Sequence, residues 1–170
     1  MSTATPKTAY SREEIWEFLK EVQDPEIPVL NIVEMGIARG VEIDERGILI
    51  KITPTYSGCP AMAAIEDEIV RTLKAKGVDQ LRVNKDFSET WTTDWMTDEA
   101  REKLREYGIA PPDKTTDKNF MVEAGKMRIV PCPYCDSFNT ELQSTFGSTA
   151  CKAQYYCKDC EQPFEHFKCI

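Results

Sequence analysis

The chain has 170 residues, 41% hydrophobic and 29% charged, with 21 Lys and Arg against 29 Asp and Glu for a net charge of −8. At roughly 150 residues per domain this suggests one ordinary domain, or one domain with a small appendage. So acidic a chain lacks the basic footprint of a nucleic-acid binder and the basic patch that sits on anionic lipid. No apolar run approaches the roughly 20 residues of a membrane span, and the first residues, Met1 to Lys7, contain no apolar stretch of a secretory signal. A cytoplasmic protein with no nucleic-acid or membrane partner is expected.

Charge and cysteine are distributed in opposite senses. Residues 1–125 hold 16 basic and 24 acidic side chains, whereas residues 126–170 hold five of each. Six of the seven cysteines, at 132, 135, 151, 157, 160 and 169, lie near the C-terminus, and Cys59 stands apart. Where thiols stay reduced, such a cluster reads as metal-binding or catalytic rather than as disulfides.

Residues 1–10 read as a disordered tail. Ser11 and Glu14 form a capping box, in which the serine hydroxyl accepts from the Glu14 amide and the glutamate reaches back. Ile15, Trp16, Phe18, Leu19 and Val22 then share a helical face, and Asp24-Pro25 ends the helix. A strand follows over residues 37–43, then a turn over 44–47. A second strand carries Ile48, Ile50 and Ile52, so the two make a hairpin. After the loop 54–60, a helix is predicted over 61–76, with Pro60 near its first turn and Gly77 past its end. A third strand is expected over 81–87, followed by a Thr-rich segment with Trp91 and Trp95. Thr97 caps a last helix through Tyr107, with Gly108 as its stop. The predicted fold class is α/β (α+β): helices packed on a short mixed sheet over residues 11–110. A linker over 111–125 leads to a zinc-ribbon-like module over 126–170.

Cys132-Pro-Tyr-Cys135 and Cys157-Lys-Asp-Cys160 are two Cys-x-x-Cys units with 21 residues between them. Each places two sulfurs at one tight turn, so the two can converge on a four-thiolate site. About 45 residues cannot build a sufficient core alone, so a metal staple is physically needed. The same ligands hold either one zinc per chain or an iron–sulfur cluster, including one in transit. Cys151 and Cys169 are spare thiols or additional ligands. His166, the sole histidine, reads as a surface or packing residue, because four better-spaced thiolates are present.

Gly58-Cys59-Pro60 opens the second helix. Free amides and the positive dipole end there favour a thiolate, which suits a soft metal ligand or a nucleophile. The structural alternative is a small buried hydrophobe at a helix start. Asp24 and Glu26 supply two carboxylates after the first helix, and alone they signal little. No histidine lies in this part of the chain, so a Cys–His enzyme is disfavoured.

These residues carry a resemblance. Asp24-Pro-Glu-Ile-Pro28, Asn31-Ile-Val-Glu-Met-Gly36 and Thr53-Pro-Thr-Tyr-Ser-Gly-Cys-Pro60 resemble the iron–sulfur assembly domain of the SufT-type family, over residues 11–107. Phe146-Gly-Ser-Thr-Ala-Cys-Lys152, Phe164 and Phe167-Lys-Cys-Ile170, with the Cys-x-x-Cys units, resemble the PaaD components of phenylacetyl-CoA oxygenases, also called 1,2-phenylacetyl-CoA epoxidases. The resemblance implies an accessory protein rather than an enzyme. It implies help in assembling or inserting iron–sulfur clusters, with the flavin and [2Fe-2S] reductase of the oxygenase complex as client, in aerobic phenylacetate degradation. Carried over by motif, Cys59 is the reactive, cluster-handling cysteine with Asp24 and Glu26 beside it, and Cys132, Cys135, Cys157 and Cys160 hold the metal. The alternative is a non-catalytic zinc-ribbon scaffold component with no cluster handling. One thiolate is a poor cage for a cluster that takes about four, so a homodimer pairing two copies of Cys59 would help.

Overall fold

The computed structural model describes residues 10–113 and 129–168. The expected tail up to residue 9, the linker from residue 114 onward and Cys169 lie outside these described residues. The chain divides into two compact units, residues 1–91 and 92–170.

In the first unit, helix α1 (Arg12–Leu19) starts at the predicted capping box, with the Ser11 hydroxyl accepting from the Glu14 amide and the Glu14 carboxylate from the Ser11 amide. It ends earlier than the sequence suggests. The amides of Lys20, Glu21 and Val22 donate to the carbonyls of Glu17, Phe18 and Leu19, three residues back. That tightened turn swings Val22 into the core and leads into a self-bonded loop. In that loop the Asp24 amide donates to Leu30 and the Ile32 amide to Val22, while Ile27, Leu30, Ile32 and Met35 are buried.

Strands β1 (Ala38–Asp44) and β2 (Gly47–Ile52) form the predicted antiparallel hairpin. Helix α2 (Ala61–Ala75) crosses over to β3 (Leu81–Lys85), which pairs with β2 in parallel, as a crossover connection permits. The sheet is therefore mixed, in the order β1-β2-β3. Its central strand buries Ile48, Ile50 and Ile52 on one face, and α2 supplies Met62, Ile65, Ile69 and Leu73 at helical spacing. Gly47 is required at the hairpin turn. Its φ is +102°, and an added Cβ would stand 2.2 Å from the Gln80 carbonyl oxygen, the acceptor for the Ile48 amide. Trp91 is buried, and its indole N–H donates to the Met35 carbonyl at 3.0 Å.

The second unit opens with a short 3-10 turn (Thr93–Trp95) and helix α3 (Asp98–Glu106), whose Thr97 hydroxyl accepts from the Ala100 amide at 3.1 Å. The chain then forms β4 (Ile109–Ala110), β5 (Thr140–Ser144), β6 (Lys152–Cys157) and β7 (Pro163–Phe167). These make a four-stranded sheet in the order β4-β7-β6-β5. The sequence places residues up to 110 with the first domain. The contacts instead group everything from Thr92 onward with the cysteine-rich module. The reason is β4, which pairs in parallel with β7 and buries Ile109 and Ala110 there.

Candidate metal centre and the cysteine at the start of α2

The two Cys-x-x-Cys turns are built alike. In each, the amide of the first cysteine donates to a carbonyl five residues on: Cys132 to Ser137 and Cys157 to Gln162, both at 2.9 Å. In each, the residue after the second cysteine takes the left-handed conformation: Asp136 at φ +60° and Glu161 at φ +58°. Polar ties hold the turns together. The Ser137 hydroxyl and the Asn139 amide group donate to the Asp159 carboxylate, the latter at 2.7 Å, and the Lys158 amide donates to the Asn139 carbonyl at 2.9 Å. The Ser137 hydroxyl, then the Asn139 amide, hold the Asp159 carboxyl below its ordinary range.

The result is a four-cysteine metal-binding group. The sulfurs of Cys132, Cys135, Cys157 and Cys160 all lie within 4.8 Å of one another. The Cys132–Cys160 and Cys135–Cys157 separations are both 3.6 Å. A tetrahedron of thiolates at about 2.3 Å from one ion has edges of about 3.8 Å, so the residues present fit a single tetrahedral ion. A multi-iron cluster would have to spread its thiolates over separate irons. Cys132 and Cys157 are fully buried against Val130, Ala153, Tyr155 and Phe164, whereas Cys135 is exposed and Cys160 half-buried. Backbone N–H groups, that of Cys160 foremost, hold the Cys157 thiol down to about 7, while burial pushes Cys160 up to about 12.

Cys151 does not join this group. It precedes β6, whereas Cys157 ends it, so the strand separates them by about 20 Å. It is buried, with its sulfur 3.0 Å from the Thr149 hydroxyl. His166 is a packing residue: it is buried, its Nδ1 is 3.1 Å from the Ala110 carbonyl, and its ring meets Tyr155 edge-on.

Cys59 sits half-buried one residue before Pro60, the residue that opens α2. The structure brings Asp24 and Glu26 into electrostatic range of it. Asp24 is itself buried and accepts the amides of Glu26 and Ile27, each at 2.8 Å, which fixes the acidic loop. One expectation fails here. A helix start should favour the thiolate, but the Cys59 thiol is raised above its ordinary value. Burial is the largest cause, and the Glu26 and Asp24 charges add to it. The Ala61 amide and the Thr55 hydroxyl, both hydrogen-bonded to the sulfur, offset only part. Sequence reasoning missed Thr55, a buried threonine four residues before the cysteine. A polar side chain in a run otherwise leading to a buried helix start is the signal that could have found it.

Comparison with known proteins places these features. A family model described as the PaaD zinc beta ribbon domain matches residues 116–168, and one described as an iron-sulfur cluster assembly protein matches residues 12–84. Over 157 residues the chain is 46% identical to a protein of Escherichia coli (strain K12) assigned to 1,2-phenylacetyl-CoA epoxidase as one of its subunits, covering 92% of each chain. The chain belongs to the PaaD family. Its first unit has wider kinship. It is 33% identical over 96 residues to an Fe-S protein maturation auxiliary factor of Porphyromonas gingivalis (strain ATCC BAA-308 / W83), covering 55% of this chain and 90% of that one. A solved domain of unknown function (DUF59) from Bacillus anthracis matches with a TM-score of 0.51 and 27% identity, covering 55% of this chain and 90% of that one. Among the described residues no helix is long and apolar enough to cross a membrane.

Proposed function

We propose that this PaaD-family chain is an accessory maturation factor of a phenylacetyl-CoA oxygenase complex. In this reading it helps to assemble or insert iron–sulfur clusters, with the [2Fe-2S] flavin reductase as client. The observation that carries the reading is the juxtaposition of Cys59 with Asp24 and Glu26 inside the unit that matches the iron–sulfur assembly family. A half-buried thiol with two carboxylates in electrostatic range disfavours an anion and favours a cation. An iron ion bound at the sulfur takes the proton's place. The Thr55 hydroxyl and the Ala61 amide then donate to the sulfur and steady the thiolate. The four clustered cysteines hold one zinc as a structural ion, supported by the spacing of their sulfurs.

The test is a Cys59→Ala chain in a strain whose reductase is purified and assayed for iron and sulfide. The expected result is an intact fold and a reductase poor in cluster. A normally loaded reductase would overturn the proposal. It would favour the second reading, a zinc-ribbon scaffold in which Cys59 is inert, which the raised thiol supports. Metal content per chain, measured after purification without oxygen, tests the zinc assignment. About one zinc without iron is expected, and iron with matching sulfide would refute it.

A further inference from the structure

The four sulfurs of the metal group are unequally protected. Cys132 and Cys157 belong to the apolar cluster that holds Val130, Tyr155 and Phe164, and Cys160 packs against that cluster, half-buried. Cys135 is the one of the four outside it, and it is exposed. A small reagent therefore meets the group at one sulfur first. Elsewhere, Cys151 is buried and Cys59 half-buried, so both are less open than Cys135.

The sulfurs also stand in pairs. Cys135 touches Cys157 and Cys132 touches Cys160, each at 3.6 Å, and each contact joins one turn to the other. The sulfurs of a filled site are thiolates, the nucleophilic form. An exposed thiolate with a buried one in contact supplies both members of an oxidation step: the sulfur that is attacked from solvent and the sulfur that resolves it.

We propose, on the zinc assignment above, that Cys135 is a modification site for peroxides, with Cys157 as its resolving partner. The Cys135 thiolate attacks one oxygen of hydrogen peroxide. The O–O bond breaks, hydroxide leaves and Cys135 becomes a sulfenic acid. The Cys157 thiolate then attacks the Cys135 sulfur, the S–O bond breaks and a second hydroxide leaves. Two solvent protons turn both hydroxides into water. The two sulfurs lose two electrons and one peroxide gains them. The disulfide withdraws two of the four thiolates, so the group no longer offers a tetrahedral site.

The test uses the full-length chain, purified without oxygen and loaded with zinc. Hydrogen peroxide is added in equal amount, with and without dimedone to trap sulfenic acid, and the peptides are mapped by mass spectrometry. The first dimedone adduct is expected at Cys135. Without dimedone a Cys135–Cys157 link should form, releasing about one zinc per link to a chromogenic chelator. Dithiothreitol with added zinc should restore the metal. Cys151→Ser, outside the group, should change neither the release rate nor the first site. A first adduct at any other cysteine, or zinc release with every thiol unmodified, would overturn this inference alone. So would a link from Cys135 to a cysteine other than Cys157. A chain that takes up no zinc would overturn it together with the zinc assignment.

Discussion

The two units reach a stable core by different routes. The first closes a mixed sheet under a 15-residue helix and buries isoleucines, leucines and a tryptophan to near zero exposure. The second buries Leu104, Tyr155, Phe164 and Phe167 and adds two turns that bring four sulfurs together. Apolar area supplies the first core, at about 25 cal/mol per Å². In the second, four cysteines placed to hold an ion add to the apolar cluster. The lesson is that one chain can carry two independent sources of cooperativity, and each fails under a different insult.

Stripping the metal is the harshest way to break this comparison. Structural zinc contributes apparent folding energies of about 10–16 kcal/mol in small zinc peptides at neutral pH. A strong chelator, or Cys132→Ser, is expected to melt β5, β6 and β7 while leaving the first unit folded. Hydrogen exchange resolved by segment checks this, and loss of protection in both units together would refute it. Ile50→Ala is the mirror experiment. It should cost the first unit about 2–5 kcal/mol, as large-to-small changes at fully buried sites do. Metal per chain should not change, and denaturant unfolding read from Trp91 should report the loss.

Smaller effects sharpen the contrast. Thr97→Ala removes the cap of α3 and should cost about 1 kcal/mol, lowering the melting of the second unit only. Acidification acts on both the metal and Glu165. Protons compete with the ion for the four thiolates, so metal loss on acidification should precede unfolding of the first unit. Glu165 sits below its ordinary value, although its burial works the other way. The Ser148 amide and hydroxyl and the Lys152 ammonium prevail. A carboxyl depressed in the folded state stabilises above its unfolded pKa, and that contribution fades as pH falls through the folded one. Glu165→Gln should remove this component of the acid response with metal retained, as a pH series of thermal melts would show. The smallest stability effect is expected at Cys59→Ala, since the site is half-buried and its thiol opposed by two carboxylates.

Much of this was legible in the residues themselves. The capping box at Ser11, the alternation of Ile48, Ile50 and Ile52, and Gly108 after α3 are local signals, and local physics decides them. The paired Cys-x-x-Cys turns announce the metal group because the spacing itself imposes the turn. The failures involve distant chain. The two residues of β4 carry no periodic pattern, and β7, which pairs with them, lies far along the sequence. The raised Cys59 thiol depends on burial first and then on Glu26 and Asp24, brought in by the loop after α1. A helix start read alone offers only the opposite sign.

That β4–β7 pair also sets a clock. Ala110 faces His166, 56 positions later, so β4 lacks its partner strand until those residues are made. At ribosomal rates of about 5–20 residues per second, the wait is about 3 to 11 s. During it, Ile109 and Ala110, buried in the folded chain, lack the strand that pairs with them.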